Sequence, residues 1–172
     1  MIQLILRHLF RFLLLTATQV LVLNNVQLAT FINPFLYILF ILSLPVNIPR
    51  LGLLPIAMVC GLTIDMFQNT PGMHASACLF IAYLRPGWLK MIAPRDGYET
   101  DAEPGIRKFG FVWYVTYASV LVLVHHFVLF FLEVFRFSEF FDTLLRIVLS
   151  SILTLLLIII AQYLTVRPRS TQ

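Results

Sequence analysis

Two ionisable residues stand where the chain can use them together. Asp65 lies near the end of one apolar run and His74 near the start of the next, with Gln68-Asn69-Thr70-Pro71-Gly72 between them. The Pro71-Gly72 pair stops one helix and lets the chain turn back into another. With both runs in a membrane, the carboxylate and the imidazole face each other across a tight hairpin at similar depth. An ionisable side chain inside apolar helices is costly, so by default it marks a site. Two roles are open to Asp65. It can cap the hairpin, accepting hydrogen bonds from amides around residues 69–72 or from His74, or it can also recognise a partner or ligand at the membrane surface.

The elements that must position this pair carry small residues at helical spacing. Ala57, Gly61 and Asp65 recur every fourth residue, and so do His74, Cys78 and Ala82, so each set shares one helix face. Small residues at that interval let membrane helices approach closely, because packing drives association in lipid. Cys60 and Cys78 fall inside these runs without CxxC spacing and read as small packing residues. His125 and His126 sit well inside a later run. Neighbouring helical residues point about 100° apart, so the two cannot jointly grip one ligand. His126 shares a face with Glu133, seven residues on, which makes this pair the expected buried polar groups and His126 the inward-facing histidine.

Composition sets the class. Of 172 residues 60% are hydrophobic and only 12% charged, and mean hydropathy is +0.92. A soluble domain is nearer 45–50% apolar and about 25% charged. Too little polar surface remains to face water, which predicts an all-α integral membrane protein, one transmembrane domain over 1–172. The net charge of +4 comes from basic residues scattered singly between apolar runs, a membrane-topology pattern and not a nucleic-acid stripe.

Six apolar segments are expected, at about 4–24, 33–48, 50–68, 72–92, 111–135 and 144–166. The first lacks a small-residue cleavage site and reads as a retained helix. The second opens with Asn33-Pro34, a favourable helix start, but is short for a span. The one long polar stretch, 93–110, reads as a loop, and the tail 167–172 as disordered. Glu133, Arg136, Glu139, Asp142 and Arg146 form a mixed-charge elbow before the last run. With six spans and the N-terminus inside, the twelve Lys and Arg residues divide ten to two: Arg136 and Arg146 alone fall outside. The positive-inside rule then places both termini and the 93–110 loop in the cytoplasm. HExxH, GxSxG, GxxxxGK[ST] and nucleotide-binding glycine runs are missing, so no catalysis, cofactor or metal is expected.

The stretch GLTIDMFQNTPGMHASACLFIAYL resembles the signature of the MreD family of rod shape-determining membrane proteins. The shared features are an Asp (Asp65), a Gly-x-His-Ala turn (Gly72, His74, Ala75) and a small-residue helix ending Ala82-Tyr83-Leu84. Thr70-Pro71-Gly72-Met73 departs from the Pro-Leu-Gly turn of many members by one residue. The stretches LRPGWLKMIAPRDGYE and VLVHHFVLFFLEVF are similar to the Bacteroidetes-type branch. The resemblance implies a non-enzymatic scaffold of the bacterial inner membrane, in the machinery for cell elongation and lateral peptidoglycan synthesis. Its implied partners are a bitopic MreC-like protein, a RodA-like glycosyltransferase with its penicillin-binding transpeptidase, indirectly the actin-like MreB, and membrane lipid. It makes Gly61, Asp65, Pro71, Gly72 and His74 a structural or partner-recognition hairpin. It also implies a fold like the six-helix substrate-binding subunits of vitamin transporters, which keeps a small-ligand-binding transporter subunit as the alternative.

Overall fold

The apolar runs become helices whose ends fall where proline, glycine or clustered polar residues interrupt them. The structure, a computed structural model, describes residues 2–25, 32–134 and 140–165. Its helices are α1 (Ile2–Leu21, followed by a 3-10 turn at Leu23–Asn25), α2 (Ile38–Leu42), α3 (Arg50–Gln68), α4 (Met73–Met91), α5 (Ile106–Phe109), α6 (Phe111–Val134) and α7 (Phe140–Leu164). There is no strand among the described residues. Arg136, Glu139 and the tail 167–172 lie outside them, so of the expected elbow only Glu133, Asp142 and Arg146 are seen.

Among the described residues, four helices are long and apolar enough to cross a membrane: Ile5–Asn25, Arg50–Gln68, Phe111–Val134 and Phe140–Leu164. The other two expected spans differ from that standard for separate reasons. Helix α4 matches α3 in length at 19 residues, but His74, Arg85, Pro86 and Lys90 dilute its apolar character. The 33–48 segment is not one helix at all. It has no regular structure at residues 32–35 and is α-helical only over the five residues of α2.

Helix α3 packs antiparallel on α4, α4 on α6 and α6 on α7, while α1 lies against α2 and α3. Short α2 sits at the centre, with Tyr37, Ile38, Ile41 and Leu42 fully buried. Several polar groups are buried within a largely apolar core, while large apolar side chains cover much of the outside. Gln19, Asp65, His74, Arg85, His125 and His126 are buried, whereas Leu51, Met66, Phe141 and Leu164 stand almost fully exposed. That distribution is stable in lipid, where buried polar groups find protein partners and apolar ones need none. The protein is an all-helical membrane protein.

Candidate functional site

The α3–α4 hairpin closes through Asp65. Asn69 takes the left-handed conformation that ends α3, with φ of 54°. Gly72, at φ of 83°, starts α4 without a side chain to cap it. Asp65 supplies that cap from the preceding helix. Its Oδ1 accepts from the His74 amide at 2.9 Å and from the Thr70 hydroxyl at 2.9 Å, and its Oδ2 accepts from the Ala75 amide at 3.0 Å. A carboxylate on the first amides of a helix meets both its unpaired N–H groups and its dipole. The cap therefore reaches further than residues 69–72, and it engages the backbone of His74, not its ring.

Gly61 makes this geometry possible. A Cβ there would lie 2.6 Å from Ala75 N and from His74 O, inside van der Waals contact with backbone. Ala57, Gly61 and Asp65 are buried on one face of α3, and His74, Cys78 and Ala82 on the facing side of α4. Cys60 and Cys78 are both buried free thiols. Pro71 lies at the turn between the helices and is exposed.

From the hairpin a directed chain of hydrogen bonds enters the core. The Leu36 amide donates to Gln19 Oε1 at 2.8 Å, so Gln19 Nε2 is left to donate to Asn24 Oδ1 at 2.9 Å and to the Pro34 carbonyl at 3.0 Å. Gln68 Nε2 donates to the same Asn24 oxygen at 3.1 Å, which turns Gln68 Oε1 toward His74. His74 Nε2–H donates to that oxygen at 3.0 Å, and His74 Nδ1 accepts from the Tyr37 hydroxyl at 2.8 Å. Tyr37 in turn accepts from His125 Nε2–H at 2.7 Å. The tautomers of both histidines follow from this network. One backbone amide thus fixes the protons of two imidazoles on other helices. The chain ends at His125 Nδ1, which is buried without a partner among the described residues.

Both members of the His125-His126 pair face inward, where only His126 was expected to. Helix α6 is packed on two sides, so residues 100° apart each meet a neighbour. His125 turns to Tyr37. His126 donates from Nδ1 to the Val122 carbonyl at 2.9 Å and accepts at Nε2 from the Thr154 hydroxyl at 3.2 Å. Glu133 is not buried with it. Its side chain is 41% exposed and takes a 3.1 Å ion pair from Arg146. Seven residues carry Glu133 about 10 Å along the axis from His126, to the helix end, where a carboxylate can remain solvated.

Two polar groups that matter most, Gln19 and Arg85, are not singled out by the sequence patterns above. Arg85 is fully buried. Its Nε donates to the Tyr117 hydroxyl at 2.7 Å, one terminal nitrogen donates to the Pro45 carbonyl at 3.2 Å, and the other donates to the Leu44 carbonyl. Tyr117 passes its own proton to the Leu42 carbonyl at 3.0 Å. Arg85 therefore holds the carbonyls just past the C-terminus of α2, and Tyr117 takes that of Leu42, the last residue of the helix; a cation there also complements the helix dipole. The signal was present: Arg85 follows Ala82 by three residues on the inward face of α4.

The 93–110 loop is tied down at several points. Glu103 receives Arg7 and also Arg11 at 3.1 Å, both from α1. Tyr98 donates to the Leu89 carbonyl at 2.8 Å, and partial burial pushes its phenol above the ordinary value. The Val46 amide donates to the Ala102 carbonyl at 2.8 Å.

At the hairpin end, the described residues line a partly open cavity of about 820 Å³. Gln19, Asn24, Asn33, Gln68 and His74 line it, together with Glu133 and Arg146. The volume lies in the range of small-molecule pockets, and its polar groups converge from α1, α3, α4, α6 and α7. Against protein-family models, curated proteins and solved structures, the chain gives no match.

Proposed function

We propose that this protein is a non-enzymatic membrane scaffold of the MreD type, organising wall-synthesis partners for bacterial cell elongation from the inner membrane. One observation carries the reading: the residues of the resemblance interlock. Asp65 bonds the amides of His74 and Ala75, and Gly61 admits Ala75 against α3. The shared motif is thus the closure of one hairpin, and a family would share it to keep that fold.

In this reading the chain crosses the membrane six times, with both ends and the 93–110 loop cytoplasmic. Contacts at its two ends support a crossing by the 33–48 segment. Pro34 and Leu36 meet Gln19 near the hairpin end, while Ser43 and Val46 meet Arg11 and Ala102 near the loop. A non-helical crossing is tolerated in a bilayer where protein satisfies its backbone. Partner helices of MreC-like and RodA-like proteins would pack on lipid-facing surfaces such as that of α1, where Leu6, Phe10, Leu13 and Leu14 are exposed.

The cavity favours a second reading, a ligand-binding subunit of a membrane transporter, because several polar groups converge there. Co-purification from the native membrane separates the two. Recovery of MreC-like and RodA-like proteins supports the scaffold, and recovery of transporter ATPase subunits in their place rejects it. Single cysteines at Thr100 and Asn69, probed on spheroplasts with an impermeant thiol reagent, test the topology. Labelling at position 69 alone is expected, and labelling at 100 alone overturns the orientation.

A further inference from the structure

The cavity is uncharged in sum, and its lining is amphipathic. Its two formal charges, Glu133 and Arg146, pair with each other at 3.1 Å. His74 has both ring nitrogens committed as one donor and one acceptor, the pattern of a neutral imidazole. Asp65, beside the cavity, has both oxygens engaged by the α4 amides and Thr70. An anion entering here would compete with Glu133 for Arg146, and a cation would find its carboxylate already paired. Removing either from water without a free counter-charge is costly.

What remains uncommitted is hydrogen-bonding capacity of mixed sign. Gln19 is saturated by Leu36, Asn24 and Pro34, so it positions its neighbours and binds nothing further. Asn24 Nδ2 and the whole Asn33 carboxamide have no partner among the described residues, and Gln68 Nε2 keeps a second hydrogen. Arg146 Nε is buried and unpaired. Carboxamides offer donor and acceptor in one group, as hydroxyls do. Phe35, its ring packed among those of Tyr37, His74, His126 and Phe130, and the exposed Phe67 line the same space.

We propose that this cavity binds a neutral, polyhydroxylated group, a sugar, with Asn24, Asn33 and Gln68 reading its hydroxyls and Phe67 covering its C–H face. The sugar comes either free or as the headgroup of a glycolipid reaching in from the membrane. The inference rests on the cavity's chemistry and holds for a scaffold or a transporter subunit alike, so it fails or stands independently of partner recovery.

The test uses the full chain in phosphatidylcholine nanodiscs, prepared without glycosidic detergents, which would themselves occupy the site. Thermal unfolding is followed with methyl β-glucoside, with a monoglucosyl diacylglycerol in the bilayer, with inorganic phosphate and with tetramethylammonium. A ligand that binds only the folded state raises the midpoint by mass action. A rise with methyl glucoside assigns a free sugar, and a rise with the glycolipid alone assigns a headgroup. Asn33→Leu removes an amide without touching the backbone bond from Asn33 to Ser150, and should weaken binding at least about tenfold. Phe67→Ala, at an exposed position, should weaken it too and guards against a folding defect in the first variant. The proposal is overturned if neither glucoside raises the midpoint, if phosphate or tetramethylammonium does so, or if both variants retain full binding.

Discussion

The hairpin and α2 solve the same problem at opposite ranges. Each breaks regular helix in an apolar fold and must satisfy the backbone groups it frees. The hairpin does so locally: Asp65 reaches amides nine and ten residues away. The α2 segment does so through the whole fold. Ser150 accepts from the Asn33 amide at 3.1 Å, Thr154 from the Phe35 amide at 3.0 Å, and Gln19 from the Leu36 amide. At its far end, Arg85 and Tyr117 take the carbonyls of Leu42, Leu44 and Pro45. A local device stabilises one element, whereas a distributed one couples α1, α4, α6 and α7 through the segment they share. Damage to α2's partners should therefore be felt more widely than damage to the hairpin.

The largest effect is expected at Arg85. Arg85→Met leaves the Leu44 carbonyl and the Tyr117 oxygen without a donor, since the Pro45 carbonyl keeps the Ile48 amide at 3.4 Å, and each buried acceptor left unsatisfied costs about 1–3 kcal/mol. Arg85→Lys keeps the charge but cannot fork to all three groups, so it should fall between. Unfolding midpoints in detergent measure both. A loss for Arg85→Met smaller than that for Asp65→Ala would reverse the ranking of the two regions.

Next come the hairpin variants. Asp65→Ala strips the cap from α4 and should cost about 2–4 kcal/mol. Asp65→Asn keeps an oxygen for His74 and Thr70 but sets an amide group against the Ala75 N–H, so about 1–3 kcal/mol is expected. Gly61→Leu forces α3 off α4 and belongs in the range of about 1–3 kcal/mol or above. Val59→Leu, whose side chain faces lipid, should change little. Equal midpoints for the last two would mean that Gly61 is not at a contact.

These ranges also explain what could be read in the sequence. The hairpin was legible because its partners are close in the chain and obey helical spacing: Ala57, Gly61 and Asp65 against His74, Cys78 and Ala82. Long spans such as α3 and α6 were legible for the same reason. The break in 33–48 was not, because Asn33-Pro34 also suits a helix start. What decides against the helix is a set of hydroxyls on α7, 117 and 119 residues away. A positive-inside count places Arg85 on the cytoplasmic face because it treats every cation as solvated, and only packing reveals that this one is turned inward. The inward turn of His125 was hidden similarly, since one helix period cannot report that α6 is covered on two sides.

Thr154→Val tests the long-range device at its most delicate point. The change is nearly isosteric but leaves both the Phe35 amide and His126 Nε2 unpaired in the core. The expected loss is about 1–3 kcal/mol, with Thr154→Ser close to the parent. Hydrogen exchange sharpens the comparison. The Phe35 amide should lose protection in Thr154→Val while the Ala75 amide keeps it, and Asp65→Asn should do the reverse. Loss at both amides in either variant would mean the two regions open as one unit.

The smallest effect lies outside both regions, in the loop, and serves as their solvated control. Lys108 Nζ sits 2.7 Å from Glu99 Oε2, and this hydrogen bond, with the charge behind it, draws the Glu99 carboxyl below its ordinary 4.5. A carboxyl whose value is lowered on folding contributes stability above its unfolded value and loses it as pH falls through the lower, folded one. Glu99 is fully solvent-exposed, so that contribution is small and screened by salt. A carboxyl-detected NMR titration should place Glu99 below 4.5, and Lys108→Ala should return it toward that value. Raising the ionic strength should narrow the difference between the two proteins. A Glu99 midpoint at or above 4.5 in the parent would mean the pair does not form in solution. The Asp65 bonds are sheltered from water, so the same added salt should leave the cost of Asp65→Asn unchanged, and a matching salt dependence at both sites would place the hairpin cap in solvent too.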